Sequence, residues 1–352
     1  MRFIHIADVH LGMEPDPGFP WSKQRGEEIW ESFRRIISLV QEEKPEFLLI
    51  AGDLFHRQPL LRELKEVNYL FSTIPDTTVV LMAGNHDYIR KDSFYREFSF
   101  GKNVVGLFRE EMTRIDIPSK KTAVYGCSYY DREIPEDLLL DVRPEGTMRY
   151  HILLAHGGDA SHIPWSKDHL AAKGFDYIAC GHIHKPEILI PGKMAYAGAL
   201  EPTDQTQPGP HGYLRGSIDE RGTTVEFVPF ARYEYVPLTL KVTEETTQYS
   251  LEQQLSRELL RLGSEKICIV TLSGRRQASL RFRKKRLMDL GNVIEVYDKT
   301  RPAYDLELLK RTYSKSLIGA YIERLENSGD KTQQKALDYG LEALLEARKG
   351  GN

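Results

Sequence analysis

The sequence has only 3 cysteines among its 352 residues, too few and too widely spaced for a disulfide framework or a zinc-binding cysteine cluster. Cys127, Cys180 and Cys268 therefore indicate buried thiols in a reducing compartment. Long apolar runs are also missing, since none approaches the roughly 18 residues that a membrane span requires. The formal net charge is only -3, so any binding of nucleic acid must depend on a local basic patch. We expect a cytoplasmic protein that makes no contact with membranes.

The remaining composition, with 41% hydrophobic and 28% charged residues, is that of an ordinary globular protein. Its length favours two domains, or one large domain with an appendage. Over residues 1–232, the apolar runs Phe3–Ala7, Phe47–Ala51 and Thr78–Ala83 alternate with two segments of helical periodicity, and a series of short strands follows. This order predicts an α/β domain in which two sheets pack together and helices cover an outer face.

Beyond residue 232 the pattern of predicted secondary structure changes twice. Residues 233–302 predict a small α+β module, and residues 303–352 predict two helices, from Leu306 to Glu326 and from Thr332 to Arg348. The apolar faces of these helices must be buried on their own module or on another chain. The module also contains a basic run, which predicts either a DNA-binding patch or simply a solvated surface: Arg275, Arg276, Arg281, Arg283, Lys284, Lys285 and Arg286.

Five polar clusters each follow directly after a short predicted strand. In chain order their residues are Asp8 and His10; Asp53 and His56; Asn85, His86 and Asp87; His156; and finally His182 and His184. Because a sheet brings the loops at its strand ends together, we expect these side chains to converge at one edge of the fold. The remaining histidines, such as His5 and His162, have no such motif, so a structural or exposed position is predicted for them.

Seven residues of these clusters offer oxygen or imidazole ligands without any thiolate: Asp8, His10, Asp53, Asn85, His156, His182 and His184. This set suits Mn²⁺, Fe or Zn better than Ca²⁺. It is too large for one open tetrahedral site but fits two ions roughly 3.5–4 Å apart that share a carboxylate. Such a pair activates water for attack on phosphorus and neutralises the phosphoryl oxygens, so the pattern predicts a two-metal phosphoester hydrolase.

The strings Asp8-x-His10, Gly52-Asp53, Gly84-Asn-His-Asp87, His156 and Gly181-His-x-His184 resemble the five motifs of calcineurin-like metallophosphoesterases. Fuller strings, such as Gly52-Asp-Leu-Phe-His56 and Ala197-Gly-Ala-Leu-Glu-Pro202, resemble the nuclease subunits of double-strand-break-repair complexes, the SbcD-like and YhaO-like exonucleases. The resemblance implies a four-layer αββα sandwich over residues 1–232. It further implies a capping and DNA-binding α+β domain over 233–302 and partner-binding helices over 303–352.

The same resemblance implies roles for single residues. Asp8, His10, Asp53 and His184 would hold one metal ion, and Asp53, Asn85, His156 and His182 the other, with Mn²⁺ as the expected ion and Fe or Zn as alternatives in the isolated protein. His86 would stabilise the transition state or protonate the leaving oxygen. Asp87 would orient the His86 ring, and His56 would position the DNA strand or phosphate.

The implied activity is that of a Mn²⁺-dependent DNA repair nuclease with 3'-5' exonuclease and single-strand endonuclease action. Its implied partners are DNA, an SbcC-like SMC-type ATPase held by the C-terminal helices, and a second copy of the chain in a homodimer. Two alternatives stay open: a phosphodiesterase or phosphatase for small molecules, and a non-catalytic scaffold on the same fold. The intact ligand set argues against the scaffold, and the basic run around Phe282 argues against the small-molecule enzyme.

Overall fold

The computed structural model describes residues 1–326 and 330–349, and the chain forms two compact units, Met1–Tyr235 and Val236–Asn352. The first unit is built from β1 (Arg2–Ile6), α1 (Ser22–Glu43), β2 (Phe47–Ala51), α2 (Leu61–Ser72), β3 (Thr78–Met82), β4 (Val104–Gly106), β5 (Thr113–Ile117), β6 (Thr122–Gly126), β7 (Tyr150–His156), α3 (Lys167–Ala171), β8 (Tyr177–Gly181), β9 (Glu187–Ile190), β10 (Met194–Tyr196), β11 (Gly212–Asp219) and β12 (Gly222–Pro229). The second is built from β13 (Glu234–Val242), α4 (Gln248–Leu262), β14 (Lys266–Gln277), α5 (Lys284–Met288), β15 (Val293–Ala303), α6 (Leu306–Thr312), α7 (Leu317–Leu325) and α8 (Lys331–Lys349).

The first sheet of unit 1 has six strands in the order β12-β11-β1-β2-β3-β4. Strands β1 to β4 are parallel, whereas β11 and β12 extend the sheet in antiparallel pairing. All five residues of β2 are buried, as expected for the central strand of a parallel sheet that is covered on both faces. The carboxyl ends of β1, β2 and β3 therefore lie side by side at one edge.

Helices α1 and α2 cover the outer face of this sheet. Ile29, Phe33 and Ile36 of α1 form one hydrophobic core with Val67 and Phe71 of α2 and the outward-facing residues of the strands. Their three- and four-residue spacing places them on one face of each helix. Helix α1 gives way to β2 at a left-handed residue followed by proline, which cannot continue a helix.

The second sheet also has six strands, in the order β5-β6-β7-β8-β10-β9, and β6, β7, β8 and β10 are parallel. The two sheets share a core in which Phe3 and Leu49 of the first sheet pack with Leu154 and Ala179 of the second. This face-to-face packing brings the end of β2 close to the ends of β7 and β8. Five strand ends thus meet at one place.

A third core covers the outer face of the second sheet, where Leu153 and Ile178 of the strands pack with Leu170 of α3 and with Phe175. The only α-helix described in this layer, α3, has 5 residues, so connecting segments form most of the covering. The predicted αββα sandwich is confirmed. Its two outer layers differ, because two long helices cover one sheet and mainly loops cover the other.

Unit 2 contains the small α+β module that the sequence predicts. Its three strands lie in the order β13-β14-β15, and β14 and β15 pair in parallel. Leu251 and Leu255 of α4 and Leu287 of α5 pack on the sheet against Val270 and Val296. These contacts give the module a hydrophobic core of its own.

The helix predicted from Leu306 to Glu326 is wrong as a single element, because the structure divides it into α6 and α7. Tyr313 leaves the helical conformation, and Ser316 donates both its N–H and its hydroxyl to the Tyr313 carbonyl at 2.9 Å. Serine side chains that bond to nearby backbone groups compete with the helical pattern, which explains the break. Helices α6 to α8 pack on one another around Ile318, Ile322 and Leu341.

One predicted domain boundary lies inside unit 2. The boundary between an α+β domain ending at 302 and helices beginning at 303 stays a prediction, because both parts lie in the same compact unit.

Within residues 1–326 and 330–349, no helix is both long enough and apolar enough to cross a bilayer.

Candidate metal centre

The five polar clusters lie where β1, β2, β3, β7 and β8 end, and parallel pairing places these ends at one edge. Four of the candidate ligand residues have left-handed backbones, with φ of 50° at Asp8, 55° at His10, 50° at Asp53 and 92° at His182. Such conformations are uncommon for residues other than glycine, and in folded proteins they cluster at functional sites. The backbone is thus bent so that successive side chains turn into the same space.

The first group of candidate ligands is formed by Asp8, His10 and His184. The Nε2 atoms of His10 and His184 lie 3.0 Å apart, and His184 Nε2 is 3.9 Å from an Asp8 oxygen. The backbone N–H of His182 donates to both oxygens of Asp8, at 3.0 and 3.1 Å. Asp8 is therefore fixed as an acceptor whose remaining lone pairs face the two imidazoles.

The second group is formed by Asn85, His156 and His182. His156 donates from Nδ1 to the Ala51 carbonyl at 2.8 Å, and His182 donates from Nε2 to an Asp159 oxygen at 2.8 Å. In the neutral rings the lone pairs are then on His156 Nε2 and His182 Nδ1, which lie 3.0 and 3.1 Å from Asn85 Oδ1. Three lone pairs that face one another repel unless a proton or a cation lies between them.

Asp53 lies between the two groups. Its Oδ1 accepts the backbone N–H of His86 at 2.8 Å. Its Oδ2 is buried and has no hydrogen-bond partner in the part of the chain that the structure describes. That oxygen is 3.9 Å from His10 Nε2 and 3.4 Å from His156 Nε2, so it faces one ligand of each group. An orphaned carboxylate oxygen is costly inside a protein, and it fits a pair of divalent cations that share it.

The electrostatics of the centre indicate a shortage of positive charge. Burial raises the pKa of Asp8 to about 7. Burial also opposes the charge of Asp53, but the neighbouring His156 and His10 hold the Asp53 pKa well below its usual range. His156 is buried as well, yet Asp53 beside it raises the His156 pKa to about 9. A single imidazolium thus faces two buried carboxyl groups. Divalent cations would supply the positive charge that the centre lacks.

The two histidines of the last motif are held in their neutral form. Burial lowers the pKa of His182 to about 4, and burial likewise lowers that of His184 to about 4. Neutral imidazole is the form that binds metal ions. The residues present therefore fit divalent metal ions, the cofactor class that the fold implies.

Glycines allow the strand ends to approach this closely. A Cβ on Gly84 would lie 2.3 Å from Asp53 Oδ1 and 2.6 Å from His156 Nε2. A Cβ on Gly52, whose φ is 89°, would lie 2.3 Å from His156 Nδ1. Glycine directly before Asp53 and before Asn85 is thus a packing requirement of the centre.

His86 lies beside the first group of ligands, with its ring centroid 4.7 Å from that of His10. Its Nδ1 donates to the His56 carbonyl at 3.1 Å, which leaves Nε2 without a hydrogen bond to any described residue. The ring of His56 stacks on it, with centroids 5.0 Å apart and planes 29° from parallel. His86 is therefore an oriented imidazole at the edge of the centre.

The structure corrects the predicted task of Asp87. The hydrogen bonds of its carboxylate go elsewhere: it accepts from the backbone N–H of Gly84 at 2.8 Å, from the N–H of Phe55 at 3.2 Å and from the Tyr95 hydroxyl at 3.0 Å. Burial raises the pKa of Asp87 to about 7. Its short side chain points back into its own loop, so Asp87 braces the strand ends and the His56 carbonyl orients His86.

Sequence reasoning missed several residues that contact the centre, among them Asp159, His162 and Gln207. Asp159 accepts from His182 and also contacts His162 Nδ1 at 2.8 Å, although a structural or exposed position was expected for His162. Gln207 places its side-chain nitrogen 2.8 Å from His184 Nδ1. The sequence gives one local signal, since Asp159 follows His156 by three residues across a Gly-Gly pair. Gln207 has no such signal, because its loop is brought back by the fold.

The predicted basic run lies in unit 2, and four of its arginines pair with acidic side chains of the same unit. Arg276 is only 4% exposed and contacts Glu342 of α8 at 2.8 Å. Arg281 contacts Glu342 and Glu346, Arg275 lies 3.9 Å from Asp338, and Arg286 pairs with Glu252. The cations of this run that are exposed and form no ion pair with any described residue are Arg283, Lys284 and Lys285.

The chain is similar to known phosphoesterases. A family model described as calcineurin-like phosphoesterase matches residues 1–186. The uncharacterized metallophosphoesterase YhaO of Bacillus subtilis is 26% identical over 294 residues, which are 76% of this chain and 70% of that protein. The DNA double-strand break repair protein Mre11 of Methanocaldococcus jannaschii is 28% identical over 212 residues, and the match spans 57% of each chain. The protein of the same name from Methanopyrus kandleri is 25% identical over 96% of this chain and 82% of its own length.

Proposed function

Since this chain belongs to the calcineurin-like phosphoesterase family and is a metal-dependent phosphodiester hydrolase, we propose that it is a DNA repair nuclease that depends on two Mn²⁺ ions. Its action would be of the 3'-5' exonuclease and single-strand endonuclease type. Relatives named as DNA double-strand break repair proteins support DNA as the substrate.

One observation carries the proposal. Asp53 Oδ2, at the end of β2, is buried without a hydrogen bond to any described residue, between two groups of lone-pair donors that come from four other strand ends. We assign one ion to Asp8, His10, Asp53 and His184, and the other to Asp53, Asn85, His156 and His182. The nitrogen and oxygen ligand set without thiolate suits Mn²⁺.

The bound ions would supply an activated water and neutralise the phosphoryl oxygens. The protein's own contribution is orientation. The backbone N–H groups of His86 and His182 fix the carboxylates of Asp53 and Asp8, so the ligands need little rearrangement. His86, held through Nδ1, presents Nε2 to the substrate, and with both ring nitrogens protonated it would stabilise charge on the phosphoryl oxygens or transfer the Nε2 proton to the leaving oxygen. His56, stacked on His86, limits how the phosphate enters.

The proposal is tested by assaying purified protein with Mn²⁺ on end-labelled duplex DNA, on single-stranded circles and on a chromogenic phosphodiester. We expect shortening of the duplex and nicking of the circles, both removed by EDTA and both missing in a His10→Ala protein purified alongside. Efficient cleavage of the chromogenic ester with intact DNA would instead identify a small-molecule phosphodiesterase. Protein that binds no metal and hydrolyses neither substrate would be a scaffold.

We propose that the DNA contact in unit 2 is made by Arg283, Lys284 and Lys285. These side chains are exposed, and they are adjacent at the start of α5. Arg276, in contrast, is buried against α8 and unable to reach phosphate. The patch is therefore smaller than the run in the sequence.

Charge reversal at the three positions, R283E/K284E/K285E, is expected to weaken DNA binding equally for all sequences. The slope of log K against log salt should become shallower by about 0.9 for each phosphate that the protein no longer neutralises, because fewer counterions are released. The measurement is a fluorescence anisotropy titration at several salt concentrations. Glutamate is favourable in the first turn of a helix, so α5 should remain folded.

The matched control reverses three exposed cations elsewhere in the same unit, K241E/R257E/K299E, which gives the same change in net charge. If both triple variants change the salt slope equally, the effect comes from net charge alone and the patch has no special role.

We propose that helices α6 to α8 hold an SbcC-like SMC-type ATPase, and a second copy of the chain is the other expected protein partner. Arg276–Glu342 and Arg301–Asp338 ion pairs tie α8 to the α+β module, so part of the helical surface is already occupied. Large apolar side chains nevertheless stay exposed on these helices: Leu308 is 59%, Leu317 70% and Tyr339 68% exposed. A contiguous exposed apolar patch is typical of a binding surface, and we propose that these three side chains belong to one.

The variant L308E/L317E/Y339E is expected to abolish co-purification with a co-expressed SMC-type ATPase from the same organism while Mn²⁺ nuclease activity stays unchanged. The three side chains are exposed, so their replacement should leave the melting temperature unaltered. Pull-down and differential scanning calorimetry measure the two quantities.

The control is Y249E/L260E on α4, where the side chains are 71% and 86% exposed. Retained ATPase binding by the helix variant, or loss of binding by both variants, would contradict the assignment to α6 to α8.

A further inference from the structure

The two histidines of the last motif are supported in chemically different ways. Behind His182 lies a carboxylate, that of Asp159, at 2.8 Å from Nε2. Behind His184 lie two neutral groups, the Gln207 amide nitrogen at 2.8 Å and the Thr203 hydroxyl at 3.3 Å from Nδ1. The side-chain partner of a ligating imidazole decides which ring nitrogen carries the proton and how basic the other nitrogen is. The two positions of the centre are therefore not equivalent.

His182 is ready to bind a cation as it stands. A carboxylate only accepts hydrogen bonds, so Nε2 carries the proton and the Nδ1 lone pair faces Asn85. Asp159 is itself fixed, because it contacts His162 Nδ1 at 2.8 Å and accepts the backbone N–H of Ser161 at 2.8 Å. This chain of contacts keeps the ring in place and raises the basicity of the ligating nitrogen.

His184, in contrast, carries its proton on the ring nitrogen that faces the centre. The Gln207 amide is anchored because its oxygen accepts the Thr203 N–H at 3.0 Å, and this turns its nitrogen towards His184. An amide N–H donates, so His184 Nδ1 accepts and the proton is on Nε2, which points at His10 Nε2. To expose the Nε2 lone pair, the proton must move to Nδ1, where the Thr203 hydroxyl at 3.3 Å is a more distant acceptor and the Gln207 N–H that points at Nδ1 must turn away.

We propose that Asp159 and Gln207 are positioning residues that make the two metal positions unequal, so that the position at His182 fills first and the position at His184 fills more weakly. The inference rests on the proposed two-metal function and adds the residues that set its order of assembly. Occupancy of the weaker position would then follow the free concentration of the metal ion, and the protein would pass through a state with one ion.

The test is a calorimetric titration of metal-free protein with Mn²⁺, together with the electron paramagnetic resonance signal of unbound Mn²⁺. Wild-type protein is expected to bind two ions in two separate steps. Gln207→Glu should strengthen the second step about tenfold, because a carboxylate accepts the Nδ1 proton while its other oxygen keeps the Thr203 bond. A structural role of Gln207 alone would not produce tighter binding.

Asp159→Ala should weaken the first step by about 10–100-fold, and Asp159→Asn should weaken it less, because an amide oxygen still accepts from Nε2. Matched controls are Gln253→Glu and Asp168→Asn, two exposed positions with the same chemical changes. Both should bind as wild type.

Two equal steps in wild type, or an unchanged second step in Gln207→Glu, would overturn the inference and leave the proposed function intact. Asp159, His162 and His182 are also close enough to hold an ion themselves. A third ion per chain that Asp159→Ala removes would therefore make Asp159 a ligand and overturn its positioning role. Wild-type protein that binds no ion would count against the proposed function as well.

Discussion

Asp53→Ala is expected to abolish binding of both metal ions and, with it, all phosphodiester hydrolysis. Asp53 Oδ2 faces one ligand of each group and has no hydrogen bond among the described residues, so its removal deletes a ligand from both positions. Neither position keeps enough negative charge to hold a divalent ion once the shared carboxylate is gone. The metal content measured by elemental analysis after dialysis against Mn²⁺ should fall from two ions per chain to nearly none.

The control for Asp53→Ala is Asp16→Ala, which removes another buried carboxylate away from the centre. Asp16 pairs with Arg25 at 3.3 Å and accepts from Trp21 at 2.8 Å. Its loss removes the carboxylate that pairs with the buried Arg25 guanidinium, which lowers the free energy of unfolding by about 3–5 kcal/mol. Asp16→Ala should be less stable yet still bind two ions. Retention of one tightly bound ion by Asp53→Ala would show that the carboxylate is not shared.

His86→Ala is expected to retain both metal ions and to lose about 10²–10⁴-fold in kcat on DNA, the range of a positioned acid or base. The variant keeps the backbone N–H that fixes Asp53, so the ligands stay in place. It removes only the imidazole whose Nδ1 is held by the His56 carbonyl. KM should change little, because the interaction is made in the transition state.

The matched control is His169→Ala, an exposed histidine on α3. It should retain full activity. A His86→Ala protein that has lost metal by elemental analysis would place His86 among the ligands, and one that cleaves DNA at the normal rate would remove it from the reaction.

The ligand residues could be predicted from the sequence because each follows a short buried strand, and parallel strands bring their ends together by geometry alone. Interactions that depend on how loops return could not be predicted. Gln207 reaches His184 from a loop 23 residues further along the chain. Asp87 was expected to face its neighbour His86, but its loop turns the carboxylate towards Tyr95 and two backbone N–H groups.

Unit 2 shows the same limit in its surface charges. In the sequence, residues 275–286 contain seven basic residues and no acidic one. The structure brings the acidic side chains of α8 onto it from more than 50 positions later, and Arg276 becomes buried against Glu342. Local sequence cannot reveal a neutralising partner so far away. The break between α6 and α7 had a local cause, the serine at 316, and could have been anticipated.

The left-handed backbones at Asp8, His10, Asp53 and His182 have a consequence for protein engineering. Each conformation costs a residue with a side chain roughly 1–3 kcal/mol, and glycine would relieve much of that strain. A campaign that selects variants for heat resistance alone would therefore find some of its easiest gains at these positions, where every gain deletes a ligand. Selection in the presence of Mn²⁺ would instead favour the original ligand residues. The bound ion stabilises the folded protein, and this stabilisation would offset the backbone strain at these residues.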